Sequence, residues 1–310
     1  NVIDDYPGGR RFCKLELKGQ ARYARYQNLD LAKGYAQPTG LGHDLLSRVQ
    51  ETNELSIEFV MNARHEHKNG SVVMGQADSL EVGNFMLAYY RGNLELKLLT
   101  EAHAFTEDAQ RLFSVEPGKP HHVVISYKEG ELGFYLDGVG GQYDGISGSL
   151  SSWTNRPLVF GQLLSGAFDF QGELEGIALY SRALTPVEAK QHADVFAKRL
   201  AKRTPAEQFK VKARLTQVTP TPAKESIAPY TRCLVSYVYE VLEGALTGEI
   251  VVNHWGMLDA KSIPLESTID TVVDLLLERV EDHPELEGER VQKKIKVDEL
   301  LVEEFLDVNP

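Results

Sequence analysis

The sequence predicts a mainly β protein: an antiparallel β-sandwich, a short connecting helix, and a second small, mostly-β domain. Three observations carry this. Val123, Ile125 and Tyr127 alternate with Val124, Ser126 and Lys128, the period of a half-buried strand. Turn residues follow at hairpin spacing, first Glu129-Gly130-Glu131 and then, after Phe134 and Leu136, Asp137-Gly138. A helix start closes the region, with Thr185 as N-cap, Pro186 at the first helical position and Glu188 at the third.

The remaining elements follow in order. The runs ELSIEFVMNA (54–63), GSVVMGQ (70–76) and NFMLAYYRGNLELKLLTE (84–101) read as earlier strands, and Leu158 with Phe160, then Leu174, Ile177 and Leu179, as later ones. Val187, Ala189, His192, Val195, Phe196 and Leu200 recur at helical spacing, and Lys198, Arg199, Lys202 and Arg203 suit the negative end of the helix dipole. Pro205 ends that helix. The boundaries expected are therefore 1–184 for the sandwich, 185–204 for the connecting helix and 205–310 for the second domain. In the second domain FKVKARLTQV alternates as a strand, and the three prolines of TPTPAKESIAPY forbid regular pairing. RCLVSYVYEVLEG, GEIVVNHWGML, IDTVVDLLLERV and GERVQKKIKVDELLVEEF supply further strands, with 268–280 or 298–306 open to a helical reading.

The order of motifs in the first two hundred residues resembles the laminin-G-like branch of the concanavalin A-like jelly rolls. Leu136-Asp137-Gly138, Leu158-Val159-Phe160-Gly161, Phe170-Gln171-Gly172-Glu173-Leu174 and Ile177 through Leu184 (IALYSRAL) match that family's closing signature in sequence. The resemblance spans roughly residues 10–200 and implies a jelly-roll sandwich without implying an activity. The second domain, through YEVLEG, IVVNHWGMLD and EDHPELEGER, resembles a module that accompanies laminin-G-like domains in bacterial secreted proteins. A looser likeness is to OB-type barrels of the netrin-like kind, and a partly open five-stranded sheet fits the pattern equally.

Composition narrows the function. The chain of 310 residues has 42% apolar and 25% charged residues, an ordinary globular balance. Residues 205–310 hold 11 Lys and Arg against 20 Asp and Glu, a net of −9, and residues 1–204 hold 22 against 25, a net of −3. That field repels phosphate, so nucleic acid is not an expected partner. No run reaches the length of a membrane span. The chain starts at Asn1 without an initiator Met, and we expect an exported protein, extracellular, periplasmic or on the cell surface, with its signal segment removed. Cys13 and Cys233 fall in different predicted domains and are read as two buried thiols, with a single bridge as the alternative.

Catalytic motifs of the fold are missing. Retaining glycoside hydrolases of the resembled family use Glu-x-Asp-x-(x)-Glu, two of whose carboxylates stand about 5 Å apart. The nearest string here, Glu173-Leu174-Glu175, has two acids and no third, and lyase-type strands are lacking too. No cofactor is expected; the alternative that the resemblance implies is a calcium ion at the sandwich rim, with Asp30, Asp169 and Glu173 as oxygen donors and Asp137 accounted for by its turn. Flat sugar faces stack on aromatic rings while amides and Arg take hydroxyls. Tyr89, Tyr90, Arg91 and Asn93 at one bend, and Trp153, Asn155 and Arg156 in a loop, are the ligand-binding residues expected. Since Tyr89 and Tyr90 are adjacent on a strand, one must face outward. In the second domain His254, Asp282, His283 and Glu285 form a candidate metal or acid/base cluster, with Trp255 expected in the core. The expected function is a non-catalytic binding module for carbohydrate or another extracellular ligand through the jelly-roll loops. The alternatives are a partner-docking protein acting through the acidic second domain and a glycan-active enzyme.

Overall fold

A computed structural model describes residues 2–6, 9–39, 42–264, 268–297 and 302–308, of which 2–6, 9–13 and 42–44 are described by their backbone alone. The chain divides into two compact units, Asn1–Tyr23 with Gln27–Arg203, and Ala24–Tyr26 with Thr204–Pro310.

The first unit is a sandwich of two sheets. One runs in the order Val139–Tyr143, Glu131–Leu136, His121–Lys128, Glu54–Ala63, Gly172–Tyr180, Val2–Tyr6 and Gly9–Cys13, with Asn28–Asp30 also paired to Gly172–Tyr180. The other runs Gln110–Ser114, Asn93–Leu98, Gly83–Tyr90, Ser71–Ala77, Val159–Phe160, Gly34–Pro38 and Leu15–Gly19. Pairings in both sheets are antiparallel except that, in the first, Val2–Tyr6 runs parallel to Gly172–Tyr180. Alternation decides the core: Ile57, Phe59 and Met61 point inward to meet Val123, Ile125, Phe85, Leu87 and Ile177. Each such side chain contributes roughly 1.5–3 kcal/mol of apolar burial.

The hairpin expected at Asp137-Gly138 forms with both residues at positive φ, 53° and 78°, as a type I′ turn demands. A side chain at Gly138 would collide with Lys190 and Ala193, because the helix Pro186–Leu200 passes close over this turn. That helix begins with the predicted capping box: the Glu188 N–H donates to Thr185 Oγ1 at 3.2 Å and the Thr185 N–H donates to Glu188 Oε2 at 2.8 Å. Its buried face differs from the one expected. Ala189, Ala193 and Phe196 are buried, whereas Val187 and Val195 are about two-thirds exposed. Small residues are selected there because the helix lies against a sheet surface. A second helix, Gly42–Thr52, which the sequence pattern did not suggest, buries Leu45 and Val49 one turn apart.

The second unit is built on five strands, Phe209–Val218, Cys233–Gly244, Gly248–Leu258, Val272–Arg279 and Glu304–Asp307. Counted in chain order they pair 1-2-3-5-4 and close back onto 1, with strands 3 and 5 parallel. This is the circuit of an OB-type barrel. Both helical readings of the sequence give way to strands. Leu275 and Leu277 face the core while Glu278 faces out, a period of two, and 304–307 is drawn into the sheet by pairing on both sides; residues 298–301 lie outside the described set. The core comprises Phe209, Val211, Leu215, Val235, Tyr237, Val252, Leu277 and Phe305 among others. Among the described residues Cys233 is a free, buried thiol whose pKa burial raises, and the side chain of Cys13 lies outside the described set.

Candidate ligand-binding site

The strand Glu54–Ala63 sends Ile57, Phe59 and Met61 into the core, so Ser56, Glu58 and Val60 stand on the outer face of its sheet. Its two neighbours place Val124 and Ala178 opposite Glu58, with His122 beside Val60 and Tyr180 beside Ser56. The helix Pro186–Leu200 lies over this patch, adding His192 and Phe196. A carboxylate there loses water and must be compensated.

Compensation comes from three donors. Glu58 Oε1 accepts from His122 Nε2 at 2.8 Å and His192 Nδ1 at 3.0 Å, and Oε2 accepts from the Tyr180 hydroxyl at 2.6 Å. Burial alone would raise the Glu58 pKa, but the hydrogen bonds from His122 and Tyr180 and the charge of His192 overcome it and hold the group below the usual carboxylate range. One step along the sheet, Glu175 is buried and binds two guanidinium groups, Arg203 at 2.5 Å and Arg199. Between these pairs opens a pocket of about 430 Å³. Val60, Ala178 and the rings of Tyr180 and Phe196 give it apolar walls, and Arg182 and Arg199 line it as well. His122 stacks on Phe196 with centroids 6.1 Å apart, and its Nδ1 is buried without a hydrogen-bond partner. Aromatic walls with a few convergent polar groups are the makings of a small-molecule site.

The residues expected to bind ligand are distributed differently. Tyr89 is in the sandwich core, its hydroxyl donating to the Val115 carbonyl at 3.0 Å, and Tyr90 is the outward member of the pair. Arg91 and Gly92 both have positive φ, and Asn93 Nδ2 donates to the Arg91 carbonyl at 2.9 Å, so this bend is held by turn chemistry. The Arg91 guanidinium caps the Tyr90 ring at 4.9 Å. Trp153 is 3% exposed: it stacks on Phe85 and donates its indole N–H to the Leu99 carbonyl at 2.8 Å. It is no platform for a sugar, because its loop folds the large ring into the core and satisfies its only donor there. Asn155 and Arg156 do line a cleft, a smaller one of about 280 Å³ shared with Gln37, Leu45 and Gln76; Arg156 is paired there with Asp78.

Of the calcium donors expected, Asp30 is buried between Arg22 at 2.6 Å and Arg64 at 2.8 Å. Glu173, in register with Asp30, accepts from Asn28 at 3.2 Å, and Asp169 accepts from the Lys33 N–H at 3.2 Å. Burial raises the pKa of both Asp169 and Glu173. Among the described residues no group of three His, Cys, Asp or Glu side chains stands together in a way that could hold a metal ion.

Comparison with known proteins fits this architecture. Residues 37–190 match the laminin G model of the "Concanavalin A-like lectin/glucanases superfamily". This region is a laminin-G-like domain. No curated protein sequence matches the chain. Among solved structures, the chain is similar to the binding domain of botulinum neurotoxin DC in complex with rat synaptotagmin II, at 10% identity and TM-score 0.48, covering 89% of this chain and 70% of that one. It is also similar to Trypanosoma rangeli sialidase in complex with the inhibitor DANA, at 17% identity and TM-score 0.42, covering 59% of this chain and 29% of the sialidase. A third is the heptameric SAP-like pentraxin of Limulus polyphemus, at 17% identity and TM-score 0.35, covering 58% and 80%. At these values nothing of their ligands transfers to the laminin-G-like domain.

In the second unit the expected cluster separates into two. His254 points into the barrel, where it meets Asp307 at 3.3 Å and the Tyr239 hydroxyl at 3.1 Å. Desolvation, then the nearby Asp307, raises the Tyr239 pKa strongly, so this hydroxyl stays protonated. The inward residue of the His254-Trp255 pair is thus the histidine, against expectation. Trp255 is half-buried under the Arg232 guanidinium at 5.1 Å, and strand alternation permits only one of the two inside. His283 sits elsewhere, between Glu285 at 2.7 Å and Glu278 at 2.9 Å, and Asp282 faces Arg25 at 3.8 Å. The sequence reading gave no ligand-binding role to Glu58, His122, Tyr180 or His192. The available signal was a charged residue at an alternate position of an otherwise apolar strand, together with a histidine on the buried side of a helix.

Proposed function

We propose that the laminin-G-like domain is a non-catalytic binding module that takes a carbohydrate or another polar ligand in the pocket between its outer sheet face and the helix Pro186–Leu200. What supports this reading above all is that pocket: concave, walled by Tyr180 and Phe196, and lined by the polar side chains of His122, Arg182, His192 and Arg199. The acids nearest to it argue for binding over hydrolysis. Glu58 is kept ionised by three donors and Glu175 is shared by two guanidinium groups, so neither is poised as a general acid. The jelly-roll loops contribute less, since Trp153 is spent on the core. A place outside the cytoplasm suits such a module.

The test is binding to a panel of immobilised oligosaccharides with two variants. Val195 is exposed on the helix and lines the pocket mouth, so Val195→Trp obstructs entry without disturbing the core; a loss of at least tenfold in affinity is expected. Tyr90→Ala, at the distant bend, leaves affinity unchanged. The opposite pattern, loss with Tyr90→Ala and none with Val195→Trp, returns the site to the loops.

A further inference from the structure

Three rungs of residues cross the outer face of the sheet on which Glu58 stands. Tyr135, Val124 and Glu58 are in register on neighbouring strands, then Gly133, Ser126 and Ser56, then Glu131, Lys128 and Glu54. Alternation turns all of them away from the core, and the middle rung carries nothing larger than a serine. The start of the helix Pro186–Leu200 walls the depression that results, through Leu184, Thr185 and Pro186. It is a hollow of about 260 Å³, distinct from the pocket beside Glu58.

Its polar groups are not all committed. Tyr135 is 6% exposed, its ring packed with Val124, Leu184 and Ala189, and its hydroxyl lies over Gly133, where a Cβ would stand 3.0 Å from it. Among the described residues that hydroxyl has no hydrogen-bond partner and, unlike the sealed Nδ1 of His122, it is open to the hollow. A phenol this deep in a protein ordinarily finds a partner. Lys128 is exposed at the rim and makes no ion pair among the described residues, although Glu54 and Glu131 flank it in the ladder. Glu54 Oε2 accepts the Ala183 N–H at 2.8 Å and Glu131 Oε1 accepts the Gln142 amide, so each carboxylate keeps its second oxygen. The hydroxyls of Ser126 and Thr185 are already given to the Leu184 carbonyl and to Glu188.

This set decides the occupant. Carboxylate oxygens accept, the ammonium donates and a phenol does either. Adjacent hydroxyls meet all three, donating to a carboxylate while accepting from Lys128. Two carboxylates against one ammonium turn an anion away, and a simple amine would be repelled by Lys128 and leave it unserved. The hollow is smaller than the roughly 300–1,000 Å³ of sites for drug-sized molecules, so its occupant is a single small unit. We propose that this hollow is a second ligand site, separate from the pocket beside Glu58, and that it takes one uncharged sugar ring, whose neighbouring hydroxyls are set between Lys128, Tyr135 and the second oxygens of Glu54 and Glu131.

Two-dimensional NMR on the full, isotope-labelled chain tests it, with D-glucose, D-galactose and D-mannose in the millimolar range as probes and tetrahydropyran as the same ring without hydroxyls. At least one sugar is expected to move the amide signals of Ser126, Gly133 and Leu184 saturably, and tetrahydropyran to move none of them. Tyr135→Phe keeps the packed ring and removes only a hydroxyl without a partner, so the urea midpoint holds or rises while the sugar binds about fivefold more weakly. Lys128→Met, at the exposed rim, weakens binding about tenfold. Val195→Trp, in the other pocket, changes nothing here. Shifts confined to the pocket beside Glu58, shifts that tetrahydropyran reproduces or Val195→Trp removes, or an affinity that neither Tyr135→Phe nor Lys128→Met alters would overturn the proposal. So would unmoved amides with all three sugars. A lowered urea midpoint in Tyr135→Phe would show that the hydroxyl has a partner within the protein, and the proposal would lose its premise.

Discussion

Each unit contains a buried titratable group held by partners of opposite character, and the two are mirror images. In the sandwich a carboxylate, Glu58, is surrounded by two imidazoles and a phenol; in the second unit, outside the barrel core, an imidazole, His283, is flanked by two carboxylates, Glu278 and Glu285. Both are stable solutions to the same problem, since a buried ion needs partners of opposite character. The solutions titrate in opposite directions. Glu58 is held below its ordinary value of 4.5, so its stabilisation is present above that pH and is lost as pH falls through the folded value. For His283 burial alone would lower the pKa, but the hydrogen bond to Glu285 and the charges of Glu285 and Glu278 raise it above 6.5. Its stabilisation is full below 6.5 and is lost as pH rises through the folded value. Acid therefore loosens the sandwich cluster and base loosens the cluster of the second unit.

The largest test of this contrast is Glu58→Ala. Removing the anion strands His122, His192 and Tyr180 around an empty centre, and breaking a buried charge cluster costs about 3–5 kcal/mol. Hydrogen exchange should accelerate across 186–200, the helix that His192 ties down. A cost under about 1 kcal/mol in chemical denaturation would mean that the cluster is a surface ornament and the mirror comparison is empty. The next effect in size is His283→Gln. It should cost about 1.5–3 kcal/mol near pH 5.5, where the charged imidazole holds two carboxylates, and progressively less as pH rises through the folded value and the wild-type ring loses its proton. A pH-independent cost would identify His283 as a packing residue.

The same contrast explains what could be read from the chain. Strand alternation and turn chemistry are local properties, so the sandwich strands, the Asp137-Gly138 hairpin and the Thr185–Glu188 capping box were all legible. The Val272–Arg279 strand was less so, because VVDLLLERV satisfies both periods until Val211 and Leu306 pair with it across the sheet. The site depended on contacts that no local pattern encodes. Glu58, His122, Tyr180 and His192 are separated by up to 134 positions in sequence and meet only when the helix folds back onto the sheet. Trp153 misled for the opposite reason: a loop aromatic reads as exposed, yet the loop could close over the core and give its N–H to Leu99. His254 and Trp255 show the residual ambiguity of alternation, which requires one side chain inside and does not say which.

The smallest effect, and the most specific to the contrast, is that of Tyr180→Phe. The ring that walls the pocket is kept and only the hydroxyl that donates to Glu58 Oε2 at 2.6 Å is removed. At neutral pH the loss should be about 1 kcal/mol, the worth of one hydrogen bond. The informative quantity is the acid limb of the stability profile. That hydrogen bond is one of the causes holding the Glu58 pKa down while desolvation pushes it up, so without it the folded value rises and the acid transition moves to higher pH. The alkaline limb, which belongs to His283, should not move. A Tyr180→Phe profile displaced at both ends, or at neither, would show that the two clusters are not the separate and opposite titrating centres that their geometry describes.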